Sequence, residues 1–301
     1  MVEHLIIHET PSLRRPPLVA AFAGWPDASE GATGAVRYLT RLLGAKKFAE
    51  IDPEEFYDFT VTRPTVFSLP SGRREIRWPA NEFYFWKNEF ADTDLILFSG
   101  IEPNLHWRQF SAAMLSVVEQ FQVPLVLGLG ALLDSVPHTR EPKITGSANV
   151  PHYRARLEGL GILGSSYQGP TGIHSALYEV CERRAVPLAS IWGHAPHYIQ
   201  GVTNPKVSLA ILQKLVPFLE LKLDLDELSG AADRFDAQIE AYIAGKQDIR
   251  DYVRRLEEQM DSAEGGERET PSADTLMKEL EDFLRQQREQ GSSNEPNSPP
   301  G

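Results

Sequence analysis

Polar and aromatic side chains stand where most of the apolar runs of this chain end. They are Trp25 and Asp27, Glu102, Asn104 and His106, His138 and Arg140, Tyr167 and Thr171, and His194 and His197. Carboxylates and imidazoles serve as general acids and bases, and a guanidinium binds anions. If the runs are parallel strands, their carboxyl ends meet at one edge of a sheet, and these side chains form a pocket there.

The same residues also have structural interpretations. Asp27, Asn104 and Thr171 each precede a predicted helix, where a side-chain oxygen can cap free backbone N–H groups. Arg140 can pair with a carboxylate, and the prolines of these loops can simply set turns. The sequence therefore leaves two interpretations of these residues: a ligand pocket, or a set of helix caps and ion pairs.

Residues for covalent or metal-dependent catalysis are hard to find. No serine lies in a Gly-x-Ser-x-Gly turn, and Cys181 falls inside a predicted helix. His194 and His197 are three apart in a loop, without a helix to place both on one face and without a nearby carboxylate. We therefore predict no catalytic residue, no metal and no cofactor, although enzymatic activity is left open.

Two glycine pairs lie near strand-to-helix turns, Gly31 with Gly34 and Gly128 with Gly130. Neither pair completes a dinucleotide or phosphate-loop pattern, because the lysine or the third glycine is missing. Close packing of the backbone is the better explanation of both pairs. The turn at residues 24–27 likewise lacks a glycine-rich cradle, so we expect it to cap a helix.

Alternating strand-like and helix-like segments must position these side chains. Apolar runs predict strands at 18–23, 48–51, 94–100, 123–130 and 187–192, and helical spacing predicts helices over 28–43, 106–121, 153–160, 173–184 and 207–218. Residues 56–61 and 83–86 are predicted to be extended, as antiparallel additions or parts of a loop-rich insertion. The pattern predicts a three-layer α/β sandwich with a mostly parallel sheet.

The net charge of -12 is concentrated in the C-terminal quarter of the chain. Residues 1–223 carry 22 acids and 21 bases, whereas residues 224–301 carry 20 acids and 9 bases. Without a basic face, the chain is not expected to bind nucleic acid. We predict a core at 1–223, an acidic helical extension at 224–290 and a disordered tail at 291–301.

The extension contains apolar stripes at helical spacing, the last of them in a helix after Ser272. These stripes either pack within a helical hairpin and onto the core or form an oligomer or partner contact. The acids either line a solvated helical face or meet a basic partner. Because the chain has one cysteine, no membrane-length apolar run and no signal-peptide pattern, we expect a cytoplasmic protein without a membrane partner.

Five segments, in order, resemble the proteasome assembly chaperone 2 (PAC2) family, and the acidic extension resembles that of its actinobacterial members. They are GWPDASEGATGAVRYL, DLILFSGIEPNLHW, LGALLDSVPHTR, YQGPTGI and WGHAPHYIQGVTNPKVSLAIL, within residues 5–222. The resemblance implies a sheet similar to that of purine nucleoside phosphorylases, self-association into a homo-oligomer such as a trimer, and no established catalytic residues.

Two functional hypotheses follow from this resemblance. The first is a noncatalytic, self-associating, protein-binding protein related to proteasome assembly, with proteasome subunits among its partners. The second is an enzyme or small-molecule binder that holds a nucleoside-like ligand in the pocket at the strand ends. Some archaeal relatives dock through a hydrophobic-tyrosine-X ending, whereas this chain ends in Ser-Pro-Pro-Gly, so we do not expect that docking mode.

Overall fold

The computed structural model describes residues 4–263 and contains a large sheet with helices on both faces. The strands are β1 (Leu5–Ile7), β2 (Leu18–Ala23), β3 (Lys46–Ile51), β4 (Thr65–Ser68), β5 (Arg74–Arg77), β6 (Glu82–Trp86), β7 (Leu95–Ile101), β8 (Val126–Asp134), β9 (Ile144–Ala148) and β10 (Leu188–Pro196). The α-helices are α1 (Gly31–Leu42), α2 (Trp107–Gln120), α3 (Pro151–Gly159), α4 (Ile173–Arg183), α5 (Pro205–Phe218), α6 (Asp226–Ile243) and α7 (Gln247–Ala263).

The main sheet has eight strands in the order β1-β3-β6-β7-β2-β8-β10-β9. The central strands β7, β2, β8 and β10 are parallel, whereas β1, β3 and β6 on one side and β9 on the other are joined by antiparallel pairing. The sheet is therefore mixed, and the prediction of a mostly parallel sheet was wrong outside its centre. The link from β6 to β7 is too short for the crossover that parallel neighbours require.

Strand β2 shows why the sequence pattern identified the centre of the sheet. Leu18, Ala20 and Phe22 belong to one buried cluster with α2 and α4, and Val19 and Ala21 belong to a second cluster with α1 and α5. A strand covered on both faces must be apolar at every position, which gives the unbroken run. The two clusters confirm that helices cover both faces.

The segment at residues 56–61 is a turn-rich loop, so of the two predicted alternatives the antiparallel strand was wrong there and the loop-rich insertion was correct. Phe56 and Tyr57 are nevertheless buried, and the Tyr57 hydroxyl donates to the Ile101 carbonyl at 2.6 Å. These aromatic residues anchor the loop without forming a sheet ladder. Beyond the loop, β4 and β5 form a separate two-stranded hairpin.

Close packing explains the glycine pairs, as predicted. A Cβ on Gly128 would lie 2.9 Å from Cδ2 of His174, and one on Gly31 would lie 2.6 Å from Cγ1 of Val207. Both distances are below ordinary van der Waals contact. The glycines thus allow a helix to approach β8 and α1 to approach α5.

Helices α6 and α7 confirm the first two helices of the predicted extension, with Gly245 between them. Leu228 and Ala232 of α6 join the core cluster of α1 and α5, so α6 packs on the core. The helix predicted after Ser272 and the predicted disordered tail lie outside the described residues. Within residues 4–263, no helix is both long enough and apolar enough to span a membrane.

Candidate functional site

The structure divides the candidate residues into two groups along the carboxyl edge of the parallel strands. The first lies on the loops after β2 and β7 and before α4, and comprises Trp25, Asp27, Glu102, Asn104, His106, Tyr167 and Thr171. The second lies at the ends of β8 and β10, where α6 and α7 contact it, and comprises His138, Arg140, His194 and His197. The predicted convergence is therefore only partial.

Asp27 caps helix α1, as the structural interpretation predicted. Its Oδ1 accepts hydrogen bonds from the backbone N–H groups of Ala32 at 2.7 Å and Thr33 at 3.3 Å, and its Oδ2 accepts from the Thr33 hydroxyl. Burial raises the pKa of the carboxyl, and these hydrogen bonds oppose that shift. Between cap and helix, Ser29 and Glu30 both have φ of 53°, a left-handed conformation that the Asp27 bonds help to hold.

Glu102 caps a helix from a different loop. Its Oε1 accepts a hydrogen bond from the backbone N–H of Ile173, the first residue of α4, at 2.9 Å. Burial raises the pKa of this carboxyl, and the hydrogen bond opposes the shift. Trp25 lies beside it, because a Cβ on Gly172 would be 2.6 Å from Oε1 of Glu102 and 3.3 Å from Cε3 of Trp25. The loops after β2 and β7 therefore meet at the start of α4.

Asn104 and Thr171 do not cap helices through their side chains, so those two predictions were wrong. Oδ1 of Asn104 accepts from the Asp58 backbone N–H at 3.1 Å and the Thr62 hydroxyl at 3.0 Å, which ties down the loop before β4. The Thr171 hydroxyl bonds to that of Ser175.

His106 precedes α2 with φ of 55° and makes no side-chain cap. The Tyr167 hydroxyl donates to the Pro170 carbonyl at 3.0 Å.

In the second group, His138 connects the loop after β8 to α6. The Tyr198 hydroxyl lies 2.7 Å from both the backbone N–H and Nδ1 of His138, and Nε2 lies 3.2 Å from Oε1 of Glu240. The hydroxyl can accept from the backbone and donate to Nδ1, which places the imidazole proton on Nε2, facing Glu240. Burial lowers the pKa of His138, and the neighbouring Glu240 opposes that shift.

Arg140 pairs with carboxylates, as predicted, and both of them belong to α7. Its Nε and Nη2 donate to the two carboxylate oxygens of Asp261 at 3.0 and 2.8 Å, and Nη1 donates to Glu257 at 3.2 Å. The hydrogen bonds from Arg140 lower the pKa of the Asp261 carboxyl. Together with His138, this guanidinium attaches the loop after β8 to the extension.

His194 lies between a carboxylate and a hydroxyl. Its Nδ1 is 2.7 Å from Oδ2 of Asp134, and its Nε2 is 2.9 Å from the Thr145 hydroxyl. Burial would raise the pKa of Asp134, but the hydrogen bond and charge of His194 lower it overall. The order carboxylate, imidazole, hydroxyl is that of a hydrolase triad. However, Thr145 is buried, so its hydroxyl is not presented to a substrate.

His197 contacts the second helix of the extension. Its Nδ1 lies 3.0 Å from the Asp134 carbonyl and its Nε2 lies 3.1 Å from the Tyr252 hydroxyl. His194 and His197 are therefore bonded to different groups and do not face a common ion. Within residues 4–263, no group of three or more His, Cys, Asp or Glu side chains could hold a metal.

The space among the second group is very small. A cavity of about 10 Å³ is bordered by His138, Arg140, His194 and Lys206. This is about the volume needed for a single water, so a nucleoside does not fit there. A small ligand beside Trp25 and Glu102, in the first group, stays a prediction.

Some of the acids of α6 and α7 pair with side chains of the core. Residues 224–263 contain eleven acids and five bases. Five acids bond to core side chains: Glu227 to Arg41, Asp236 to Lys206, Glu240 to His138, and Glu257 and Asp261 to Arg140. The other six acids nearly equal the five bases of these residues in number. Eight of the eleven acids are exposed, Glu227, Glu240 and Asp261 among them, so these residues do present a solvated acidic face, some of whose acids also bind the core.

Several residues of this edge were not identified from the sequence. Asp134, Thr145 and Tyr198 bond to the predicted histidines, and Glu240 and Tyr252 bond to them from the extension. Of these five residues, only Tyr198 lies next to a predicted histidine in the chain, His197, so only Tyr198 could have been identified from the local sequence. The other four are remote in sequence from the histidines that they contact.

Large apolar side chains remain exposed at the same edge. Trp25 is 62% exposed, Tyr167 58% and Leu105 47%. Trp25 lies beside Glu102, three residues before Leu105, and Tyr167 lies on the loop that leads into α4. The first group thus bonds most of its polar side chains within the chain and leaves large apolar side chains exposed, which is typical of a protein-binding surface.

The comparisons with known proteins agree with the fold. A model described as the PAC2 family matches residues 21–243. The crystal structure of a Streptomyces avermitilis PAC2 family protein is 36% identical, with a TM-score of 0.72, over 79% of this chain and 99% of that chain. A Mycobacterium tuberculosis proteasome-assembly chaperone homologue is 34% identical, with a TM-score of 0.71, over 78% and 99%.

A more distant likeness concerns the fold alone. The Pyrococcus furiosus protein PbaB, an archaeal proteasome activator, is 20% identical, with a TM-score of 0.65, over 79% of this chain and 97% of that chain. No curated protein matches the sequence.

Proposed function

The chain belongs to the PAC2 family, and on that premise we propose that it is a noncatalytic, self-associating protein that binds proteasome subunits during proteasome assembly. The proposal includes a cytoplasmic location and requires no cofactor. The kinship of the sheet to purine nucleoside phosphorylases, and with it a nucleoside-like ligand, stays a prediction.

One observation carries this proposal: at the carboxyl edge the hydrogen-bonding groups are bonded within the chain, whereas large apolar groups are exposed. Asp27 and Glu102 cap helices, and Arg140 is paired with α7. Trp25 and Tyr167 remain outside. Aromatic side chains of this kind are enriched in the energetic centres of protein interfaces. The name of the 34% identical relative, a proteasome-assembly chaperone homologue, indicates which partner to test first.

The test is binding of the full chain to purified α and β subunits of an actinobacterial proteasome. We expect the double variant Trp25→Ala/Tyr167→Ala to bind at least roughly tenfold more weakly, because truncating an aromatic anchor at an interface costs about 2 kcal/mol or more. Phe90→Ala is the matched control, because Phe90 is exposed on the loop before β7, away from this edge. Light scattering of the same samples measures self-association. A monomeric wild-type chain that binds neither subunit would refute the proposal.

A further inference from the structure

A concave space lies at the edge of the sheet opposite to the candidate site, where the parallel strands β2, β7 and β8 begin. We call this edge the amino edge. The space has a volume of about 260 Å³, and its lining includes Arg15, Thr93, Tyr153, Arg156, Phe218 and Glu220. Pockets for drug-sized ligands begin at about 300 Å³, so this space suits a smaller molecule.

Arg15 is a cation that the fold itself does not use. It is exposed, and its guanidinium forms no hydrogen bond or ion pair within the described part of the chain. The neighbouring Arg14, in contrast, is bonded to Asp94 through Nη2 and Oδ1 at 2.8 Å, and its carbonyl accepts from the Asp94 N–H at 3.0 Å. On the other side, the Pro17 carbonyl accepts from the Ile96 N–H at 3.0 Å. The backbone around Arg15 is therefore fixed to the start of β7, while its guanidinium is free to bind an anion.

Arg156 supplies a second guanidinium from α3. It lies over the Phe218 ring, 5.4 Å from the ring centroid, and its Nη2 donates to Oε1 of Glu220 at 2.7 Å. The stacking and the ion pair fix the plane of this guanidinium. Its Nε and Nη1 form no hydrogen bond within residues 4–263, so both can still donate to a ligand. Two arginines and one glutamate line the space, which leaves it a net charge of +1.

Two hydroxyl groups add further donors to the space. Tyr153 is half-buried, with its ring 5.9 Å from that of Phe218, and its hydroxyl has no hydrogen-bond partner among the described residues. The hydroxyl of Thr93, just before β7, has none there either. A hydroxyl can donate a hydrogen bond, and a guanidinium can only donate. The free polar groups of this space therefore suit a ligand that is rich in acceptor oxygens.

A phosphate monoester fits these donors better than a carboxylate does. The donors stand on three separate elements, which are the segment before β2, the segment before β7 and helix α3. A phosphate group offers three strong acceptor oxygens to them, whereas a carboxylate offers two. We propose that the amino edge binds the phosphate monoester of a small molecule, with Arg15 and Arg156 on the phosphate and the Tyr153 ring against the organic part. This site is separate from the proposed protein-binding surface, which lies at the opposite edge.

The experiment is isothermal titration calorimetry of the full chain with phenyl phosphate at low salt. We expect a dissociation constant of about 1 mM or lower. Benzoate keeps the ring but has a carboxylate, and it should bind at least roughly tenfold more weakly. Inorganic phosphate lacks the ring and should bind roughly threefold more weakly or worse, because the contact with Tyr153 is lost.

Arg15→Gln tests the arginine that has no partner in the chain. It should raise the dissociation constant for phenyl phosphate at least roughly tenfold, because a charged, two-pronged contact is removed. Thermal unfolding without ligand should stay as in the wild type. Tyr153→Phe removes one hydroxyl and should weaken binding by roughly two- to fivefold. Arg108→Gln is the matched control, because Arg108 is an exposed arginine at the start of α2, on the opposite edge, and its binding should equal that of the wild type.

Several results would overturn this inference. Phenyl phosphate that does not bind, or that binds Arg15→Gln as tightly as the wild type, would show that the amino edge is not the site. Benzoate that binds equally well would refute the preference for phosphate, and inorganic phosphate that binds equally well would refute the ester. The variant Trp25→Ala/Tyr167→Ala should bind phenyl phosphate like the wild type, and Arg15→Gln should bind proteasome subunits like the wild type. Failure of this inference therefore leaves the proposed function standing, and the reverse also holds.

Discussion

Replacing His174 by glutamine should flatten the stability of this protein between pH 7 and pH 5. The His174 ring is buried between Phe22, at a centroid distance of 5.3 Å, and Trp192, at 4.9 Å. Its Nε2 lies 3.0 Å from the Leu129 carbonyl, and Nδ1 is buried without a hydrogen-bond partner. Burial lowers the pKa of this imidazole from 6.5 to about 4, and the Leu129 contact opposes the shift.

The direction of the pH effect on stability depends on whether the unfolded or the folded chain binds the proton first as the pH falls. Below pH 6.5 the unfolded chain takes up a proton at His174 while the folded chain does not, so stability falls as the pH drops and levels off near pH 4. One proton corresponds to about 1.4 kcal/mol per pH unit, which gives a loss of about 2 kcal/mol between pH 7 and pH 5. Glutamine can still donate to the Leu129 carbonyl but does not titrate.

The assay is urea unfolding of wild type and variant at both pH values, followed by tryptophan fluorescence. We expect the wild type to lose about 2 kcal/mol more than His174→Gln between pH 7 and pH 5. Contributions from His138 and from the carboxyls are common to both proteins and cancel in the comparison. His152→Gln, at an exposed histidine of α3, is the control and should behave as wild type. An equal pH dependence in His174→Gln and wild type would refute this reasoning.

Three further predictions concern the carboxyl edge. Asp27→Ala should lower the free energy of unfolding by about 1–2 kcal/mol, since it removes the cap of α1; chemical denaturation measures this, and a change below 0.5 kcal/mol would contradict it. Glu102→Gln keeps an acceptor for the Ile173 N–H and should leave the melting temperature nearly unchanged. Glu102→Ala removes the acceptor and should lower the melting temperature. Equal melting temperatures for the two variants would contradict the capping role. Arg140→Ala should speed amide exchange in α7 by roughly two- to fivefold, because partly exposed ion pairs contribute at most about 1 kcal/mol; unchanged exchange in α7 would show that the pair does not hold the helix.

The centre of the fold was predictable because burial on both faces leaves a strong local pattern. The runs around β2, β7, β8 and β10 are apolar at nearly every position, and each is recognisable without knowledge of its neighbours. The edge strands β1 and β9 have only three and five residues, and β9 contains threonine, glycine and serine. Such segments become strands through their partners, so the sequence carried no comparable signal for them.

The candidate site was predictable in position but not in its bonding. Ordinary sheet topology brought the loops after the parallel strands to one edge, as expected. The partners of those loops are far away in the chain: His138 bonds to Glu240 and Arg140 bonds to Asp261. Pairings across a hundred residues leave no local pattern. Asn104 illustrates the same limit, since it precedes α2 like a cap but binds the loop before β4.

The position of β2 in the sheet has a consequence for how the chain is made. Although β2 is the second strand to be synthesised, its two neighbours are β7 and β8, which end at Ile101 and Asp134. Translation at about 5–20 residues per second therefore leaves the most apolar strand with an open edge for roughly 6–20 seconds. During that time the nascent chain exposes a segment that can pair with other chains. We expect newly made molecules to depend on the ribosome surface or on general chaperones until β8 has emerged.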